Sequence, residues 1–270
     1  MENRNIGFIG AGKMGSALIE GIIKAGVVKS ENIGASDVYV PFLDELKTKF
    51  GIRVSTDNAV IVRKSDILIL AVKPQTLGSV LANLRDYITS DKLVISIAAG
   101  VPLSIYEDAL SEGTRVVRVM PNIAATVSEA ASGISPGKSA TSEDLKTALE
   151  IFSAVGTAVQ VPESLMDAVT GLSGSGPAFI FPVIEAMADG AVLVGMDRKN
   201  ALTLAAQTVL GAAKMMLETG LHPGELKDMV TSPAGTTIQG IHALEEAGVR
   251  AAFMNAVIRA SERSKELGKK

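Results

Sequence analysis

Three glycines at positions 10, 12 and 15, set between a short apolar run and an amphipathic stretch, restrict this chain more than any other feature of its sequence. Residues 5–9 have strand character and helical periodicity begins at Met14, so Gly10-Ala11-Gly12-Lys13-Met14-Gly15 has to carry the backbone from strand to helix. In a G-x-G-x-x-G so placed, the first glycine permits a tight turn. The second lets a pyrophosphate approach the backbone, and the third lets helix and strand pack closely. The helix N-terminus adds N–H donors and positive potential for the phosphates. The motif therefore predicts a dinucleotide site built from Gly10, Ala11, Gly12, Lys13, Met14 and Gly15.

The rest of the N-terminal half fits that reading. Strand patterns at 5–9, 32–36, 52–54, 67–71, 93–97 and 116–120 alternate with helical ones at 14–25, 42–50, 58–63, 76–87 and 103–110, the signature of a parallel sheet covered by helices. Runs at 131–135 and 158–161 flank a helix at 142–154 and add edge strands. After Pro162 the alternation stops, and alanine-, methionine- and leucine-rich helical patterns follow, broken at Gly195-Met196-Asp197, Gly220-Leu221-His222-Pro223 and Gly248. The expected fold is α/β: a Rossmann-type doubly wound domain at 1–162, then an all-α domain at 163–270. The helix at 177–194 is apolar around most of its circumference and needs cover on every side. A small helical domain cannot supply it alone, so the expected state is a homodimer or a larger ring built from dimers.

Composition narrows the function classes. A net charge of −3 without a basic face argues against nucleic acid as partner. The absence of cysteine rules out disulfides and thiolate chemistry and permits a reducing cytoplasm, while two separated histidines, His222 and His242, disfavour a metal site and read as structural. The start Met1-Glu2-Asn3-Arg4-Asn5 lacks a basic n-region and a long apolar run. Glu185 and Asp189 within the most apolar helix are expensive in lipid, so no membrane partner is expected. Lys269-Lys270 reads as a solvated tail.

Asp37 ends the second strand, where a carboxylate about 20 residues beyond the glycine motif accepts hydrogen bonds from the adenosine ribose. It would repel a 2′-phosphate, and no cation lies between Asp37 and Lys47 to compensate, so the expected cofactor is NAD(P)H leaning to NADH. The alternative for Asp37 is a turn-starting or helix-capping residue. Asn58 and the strand-end segments Ala71-Val72-Lys73-Pro74 and Ala98-Ala99-Gly100 would lie at the carboxyl edge of the sheet, with Met120-Pro121-Asn122 as a further wall.

In the helical half, Thr231-Ser232-Pro233-Ala234-Gly235-Thr236-Thr237 runs into a helix and offers backbone N–H groups to an anion such as a carboxylate. An ordinary cap at Ser232 or Thr236 is the alternative. The stretch PGELKDMVTSPAGTTIQGIHALE at 223–245 closely resembles the signature region of the pyrroline-5-carboxylate reductases. The segments GFIGAGKMG at 7–15, LAVKP at 70–74, MPN at 120–122 and VTGLSGSGPA at 169–178 resemble the same family, in its order, over nearly the whole chain.

The resemblance implies reduction of the C=N bond of 1-pyrroline-5-carboxylate to proline by NAD(P)H. Carried over by position, Ser232, Gly235, Thr236 and Thr237 hold the substrate, with Thr237 near the imine nitrogen. Asn58, Ala71, Lys73 and Ala98 contact the cofactor. Ala234 departs from a common family glycine, and Ile123-Ala124 from a common Thr-Pro. Glycines at 171–176 are expected to form a tight turn into the long helix. Two other functions compete. A β-hydroxyacid dehydrogenase would place a lysine and an asparagine where Ile180 and Ile184 stand, and a non-catalytic nicotinamide sensor would not need the 232–237 loop.

Overall fold

Strands β1 (Ile6–Ile9), β2 (Ile33–Ser36), β4 (Ile67–Leu70) and β5 (Leu93–Ser96) are buried along their whole length, as parallel strands covered on both faces must be. With β3 (Arg53–Ser55), β6 (Arg115–Met120), β7 (Ala130–Pro136) and β8 (Gly156–Gln160) they form one sheet in the order β3-β2-β1-β4-β5-β6-β7-β8. The structure is a computed structural model that describes residue 1 and residues 3–268; Lys269 and Lys270, expected to form a solvated tail, lie outside the described residues.

Helices α1 (Lys13–Lys24), α2 (Val40–Phe50), α3 (Asn58–Arg63), α4 (Pro74–Leu84), α5 (Leu103–Ala109) and α6 (Ser142–Ser153) provide the cover. Alternation along the strands sends Phe8, Ile67 and Ile69 to one core with Leu18, Ile22 and Phe152, and Ile9, Leu68 and Leu70 to the other with Leu77, Leu81 and Tyr106. The first six strands are mutually parallel, as expected. β7 runs antiparallel to β6, because the connection from Met120 to Ala130 is too short for a crossover.

The remaining helices are α7 (Met166–Val169), α8 (Gly176–Leu193), α9 (Arg198–Thr219), α10 (Pro223–Met229), α11 (Thr236–Glu246) and α12 (Val249–Leu267). The segment expected to be a tight turn is instead a π-helical turn, Thr170–Gly174, inside a helical run that spans Glu163–Leu193. Ser175 N–H donates to Thr170 O at 2.8 Å, and the Thr170 and Ser173 hydroxyls donate to Met166 O and Val169 O. Gly174 serves close packing there, since a Cβ on it would lie 2.8 Å from Met120 Cε.

The sheet ends near Pro162, where the sequence pattern changes. The compact units divide elsewhere: one comprises Met1–Ser175 with the stretch from Arg259 onward, the other Gly176–Ile258. Within the second unit the core is small, with Ala188, Ala201 and Ala205 its buried residues. Helix α8, for which cover by a second copy was expected, has Ala188 as its one fully buried residue within this chain; Phe181 and Leu193 are exposed, as is Val194 just past its end. The cause is the shortage of chain in this unit to wrap an all-round apolar helix.

Tyr106 on α5 is 0% exposed and its hydroxyl lies 2.6 Å from Ser96 Oγ. Burial pushes the phenol up to about 12, partly opposed by the Ser96 bond. Below pH 10 the phenol is protonated in both folded and unfolded chains and contributes fully. Between the ordinary value and about 12, the unfolded chain alone loses the proton, so stability falls as pH rises. Urea titrations at pH 9 and 11.5 should show Tyr106→Phe losing up to roughly 2 kcal/mol less than wild type over that interval. At pH 7 the variant should be about 1 kcal/mol less stable.

Candidate active site

The strand order reverses direction between β1 and β4, and the turn leaving β1 sits at that switch point. Gly10 has φ +105°, and a Cβ there would lie 2.6 Å from Ala71 O, so the turn can pass β4 this closely only without a side chain. A Cβ on Gly15 would collide with the Gly10 carbonyl, while one on Gly12 would meet nothing within 4 Å. The space beside Gly12 is open to a ligand. Gly12 is also the N-cap of α1 and no side chain caps that helix, which leaves its first N–H groups for an anion. Lys13 is exposed, and Met14 is half-buried. These features fit a dinucleotide pyrophosphate.

Asp37 follows β2 directly and does more than the sequence suggested. Its Oδ2 accepts the Ala11 N–H at 2.7 Å and its Oδ1 accepts the Tyr39 N–H at 2.9 Å. It therefore starts a turn and at the same time ties down the glycine-rich loop. It does not cap α2, whose N-cap is Tyr39. Tyr39 was not singled out in the sequence; the available signal was the Asp-Val-Tyr spacing of an Asx turn.

The other expected cofactor residues occupy the carboxyl edge of the same sheet. Asn58 opens α3 behind its capping Asp57, and Lys73 stands at the N-cap position of α4, ahead of Pro74, without a side-chain capping bond. Ala71 and Val72 are half-buried just past β4. Ala98, 4% exposed, follows β5, its N–H donating to Ser96 Oγ at 3.3 Å. Asn122, expected as part of a wall, is internally engaged. Its Nδ2 donates to Ser173 O at 3.0 Å, and its Oδ1 accepts from Ala124 and Ala131 N–H.

In the second unit, residues 232–235 form a turn closed by Gly235 N–H to Ser232 O at 3.0 Å, with Pro233 second and Ala234 third at φ +55°. This is the pattern of a type II turn. Gly235 is the N-cap of α11, and no side chain caps the helix. The alternative of a Ser232 or Thr236 cap is thus not what forms, and the N–H groups of the first turn stay available to an anion. Thr236 and Thr237 are the first two residues of α11, Thr237 half-buried. His222 caps α10, its Nδ1 accepting Gly224 N–H at 3.1 Å, and His242 lies exposed 3.8 Å from Glu246.

Residues 5–100 match the family model described as NADP oxidoreductase coenzyme F420-dependent, and residues 163–267 match that for pyrroline-5-carboxylate reductase dimerisation. A pyrroline-5-carboxylate reductase of Methanosarcina acetivorans is 88% identical over 270 residues, 100% of both chains. The chain belongs to the pyrroline-5-carboxylate reductase family. A solved reductase from Coxiella burnetii superposes with TM-score 0.94 at 37% identity, covering 98% of this chain and 99% of that one. A Plasmodium falciparum pyrroline carboxylate reductase with NADP bound gives 0.88 at 35%, covering 99% of each.

As a member of this family the chain is a nicotinamide-dependent oxidoreductase that reduces 1-pyrroline-5-carboxylate, the last step of proline biosynthesis, and a homo-oligomer. The dehydrogenase alternative, already short of its lysine at Ile180, falls with that membership.

The reductase loop carries a testable strain. A non-glycine residue in the left-handed region costs about 1–2 kcal/mol, and glycine at that position gives part of the relief back through a freer unfolded chain. Ala234→Gly should keep kcat/KM within about twofold and raise stability by roughly 0.5–1 kcal/mol. Ala234→Val, with a branched Cβ at φ +55°, should disturb the turn and lower kcat/KM at least about tenfold. Steady-state assays and thermal melts of the two variants check both.

Proposed function

We propose that the first unit holds the cofactor along Gly10, Ala11, Gly12, Lys13, Met14 and Gly15, with Asp37 at the adenosine ribose and Asn58, Ala71, Val72, Lys73 and Ala98 along the carboxyl edge. In the second unit, the backbone N–H groups near Gly235 and Thr236, with Ser232, grip the substrate carboxylate, and the Thr237 hydroxyl positions the imine nitrogen. When bound, the reduced nicotinamide supplies a hydride to the imine carbon. If the imine arrives protonated, the chain needs no strong acid and need only hold the reactants in line. The functional unit is a homodimer in the cytoplasm.

The observation that carries the cofactor preference is the double backbone tether of Asp37. Two N–H donors fix the carboxylate in place, and its remaining lone pairs suit ribose hydroxyls. A 2′-phosphate would meet that charge with no cation between Asp37 and Lys47. The Plasmodium relative is described with NADP bound, so the expectation is a preference and not an exclusion. Wild type should use NADH at least as well as NADPH. Asp37→Asn, which keeps an acceptor for Ala11 N–H and removes the charge, should move the kcat/KM ratio about tenfold toward NADPH, about 1.4 kcal/mol. A wild type favouring NADPH a hundredfold would overturn the assignment.

For Thr237, the lost interaction is one hydroxyl bonded to a charged group, about 1.5–3 kcal/mol. Thr237→Ala should lower kcat/KM roughly 10- to 150-fold. The fold should persist because α11 is capped by Gly235 and takes no side-chain cap from Thr237. NADH affinity, measured by fluorescence titration, should change little. A folded variant within twofold of wild-type kcat/KM would remove Thr237 from the mechanism.

A further inference from the structure

Helix α12 buries one residue along its whole length, and that residue is a serine. Ser264 is 5% exposed and its hydroxyl donates to Asp167 Oδ1 on α7 at 2.6 Å, a bond across 97 residues of sequence. Apolar burial would stabilise a docked helix end in any of several registers, whereas a single hydrogen bond to a carboxylate selects one. The register it selects puts the last turn of α12 against the loop that leaves β5. A Cβ on Gly268 would stand 2.8 Å from Gly100 O, and one on Gly100 would stand 4.0 Å from Leu267 Cβ. Gly100 itself has φ +74°. Between the helix end, this loop and the π-helical turn lies a cavity of ≈ 250 Å³, lined among others by Ala99, Gly100, Thr170, Ser175 and Leu267. Gly100 is two residues beyond Ala98, at the sheet edge assigned above to the nicotinamide end of the cofactor.

We propose that Ser264 and Asp167 are a positioning pair: their bond seats the end of α12 as a backstop for the Ala98-Ala99-Gly100 loop and so sets where the nicotinamide ring lies. The last residues of the chain thereby act on hydride transfer without touching substrate, and no sequence motif announces it. The inference rests on the cofactor assignment given under Proposed function.

The test separates the two ends of the cofactor. Ser264→Ala should weaken NADH binding and lower kcat/KM about three- to tenfold, while ADP-ribose, which keeps the adenosine and pyrophosphate and lacks the nicotinamide, binds within twofold of wild type. Asp167→Asn retains an acceptor for the Ser264 hydroxyl and should behave like wild type. Asp167→Ala should match Ser264→Ala, and the double variant should be no worse than either. Gly268→Ala leaves the bond in place and crowds Gly100 O, so it should reproduce the NADH-specific loss even if Ser264→Ala proves unstable. Equal losses of NADH and ADP-ribose in these variants, or no loss of NADH in both Ser264→Ala and Gly268→Ala, would overturn the proposal. Ala98→Leu is the control for the underlying assignment. If it left NADH binding intact, the nicotinamide would not lie at this loop; if it impaired NADH while the Ser264 and Gly268 variants did not, the backstop alone would fail.

Discussion

The close passage of the β1–α1 turn over β4 is the constraint on which the nucleotide half depends. The Gly10 backbone reaches Ala71 O at a distance that excludes a side chain, and Gly15 brings α1 down onto the Gly10 carbonyl. These two contacts aim the uncapped N-terminus of α1 at the edge where β1 and β4 part. Without them the helix would stand further from the sheet and its N–H groups would point elsewhere. The tether from Ala11 to Asp37 then fixes the outer side of the same turn, so the loop is held from β4 on one flank and from β2 on the other.

The helical half obeys a different constraint, a shortage of chain. Three alanines are the fully buried members of its core, and large apolar side chains on α8, α9 and α12 remain exposed within one chain. An exposed apolar surface of this extent marks an interaction face, and the family to which the chain belongs dimerises through this segment. By length and composition the run Glu163–Leu193 could cross a bilayer. Pro182 interrupts its hydrogen bonding, and Asp189 is ion-paired with Arg198 of α9. A second copy is the cover that fits such a helix.

Local pattern made the sheet legible. The strands and helices of the first 160 residues stand within a few residues of where period and punctuation put them, because buried parallel strands read as apolar runs and their helices carry Gly, Pro or Asp at the ends. What escaped depends on partners distant in sequence. The antiparallel turn of β7 follows from connection length, and the π-helical turn at 170–174 sets Gly174 against Met120 where glycines looked like a turn signal. The bonds of Asn122 to Ser173 and of Ser264 to Asp167 have no local signature at all. In the site, residue types were readable from motif and resemblance. The tether that orients Asp37 was not, since a carboxylate serving a backbone N–H looks the same in sequence as one waiting for a ribose.

One device recurs at the two proposed anion sites, and the difference between them is informative. α1 and α11 each begin at a glycine N-cap with no side chain occupying the terminal donors. A glycine N-cap costs a helix only a few tenths of a kcal/mol relative to serine or aspartate, and it leaves the terminal donors free for a ligand that takes the cap's place when bound. At α1 the preceding turn is glycine where φ is positive, and it accommodates a ligand as large as a pyrophosphate. At α11 the turn sets Pro233 ahead of an alanine held at φ +55°. Proline narrows the conformations of the free loop, and the strained alanine is kept in place by the turn bond from Gly235 to Ser232. A small carboxylate offers few contacts with which to order a loop, so a site for it gains most from a loop already rigid before the substrate arrives.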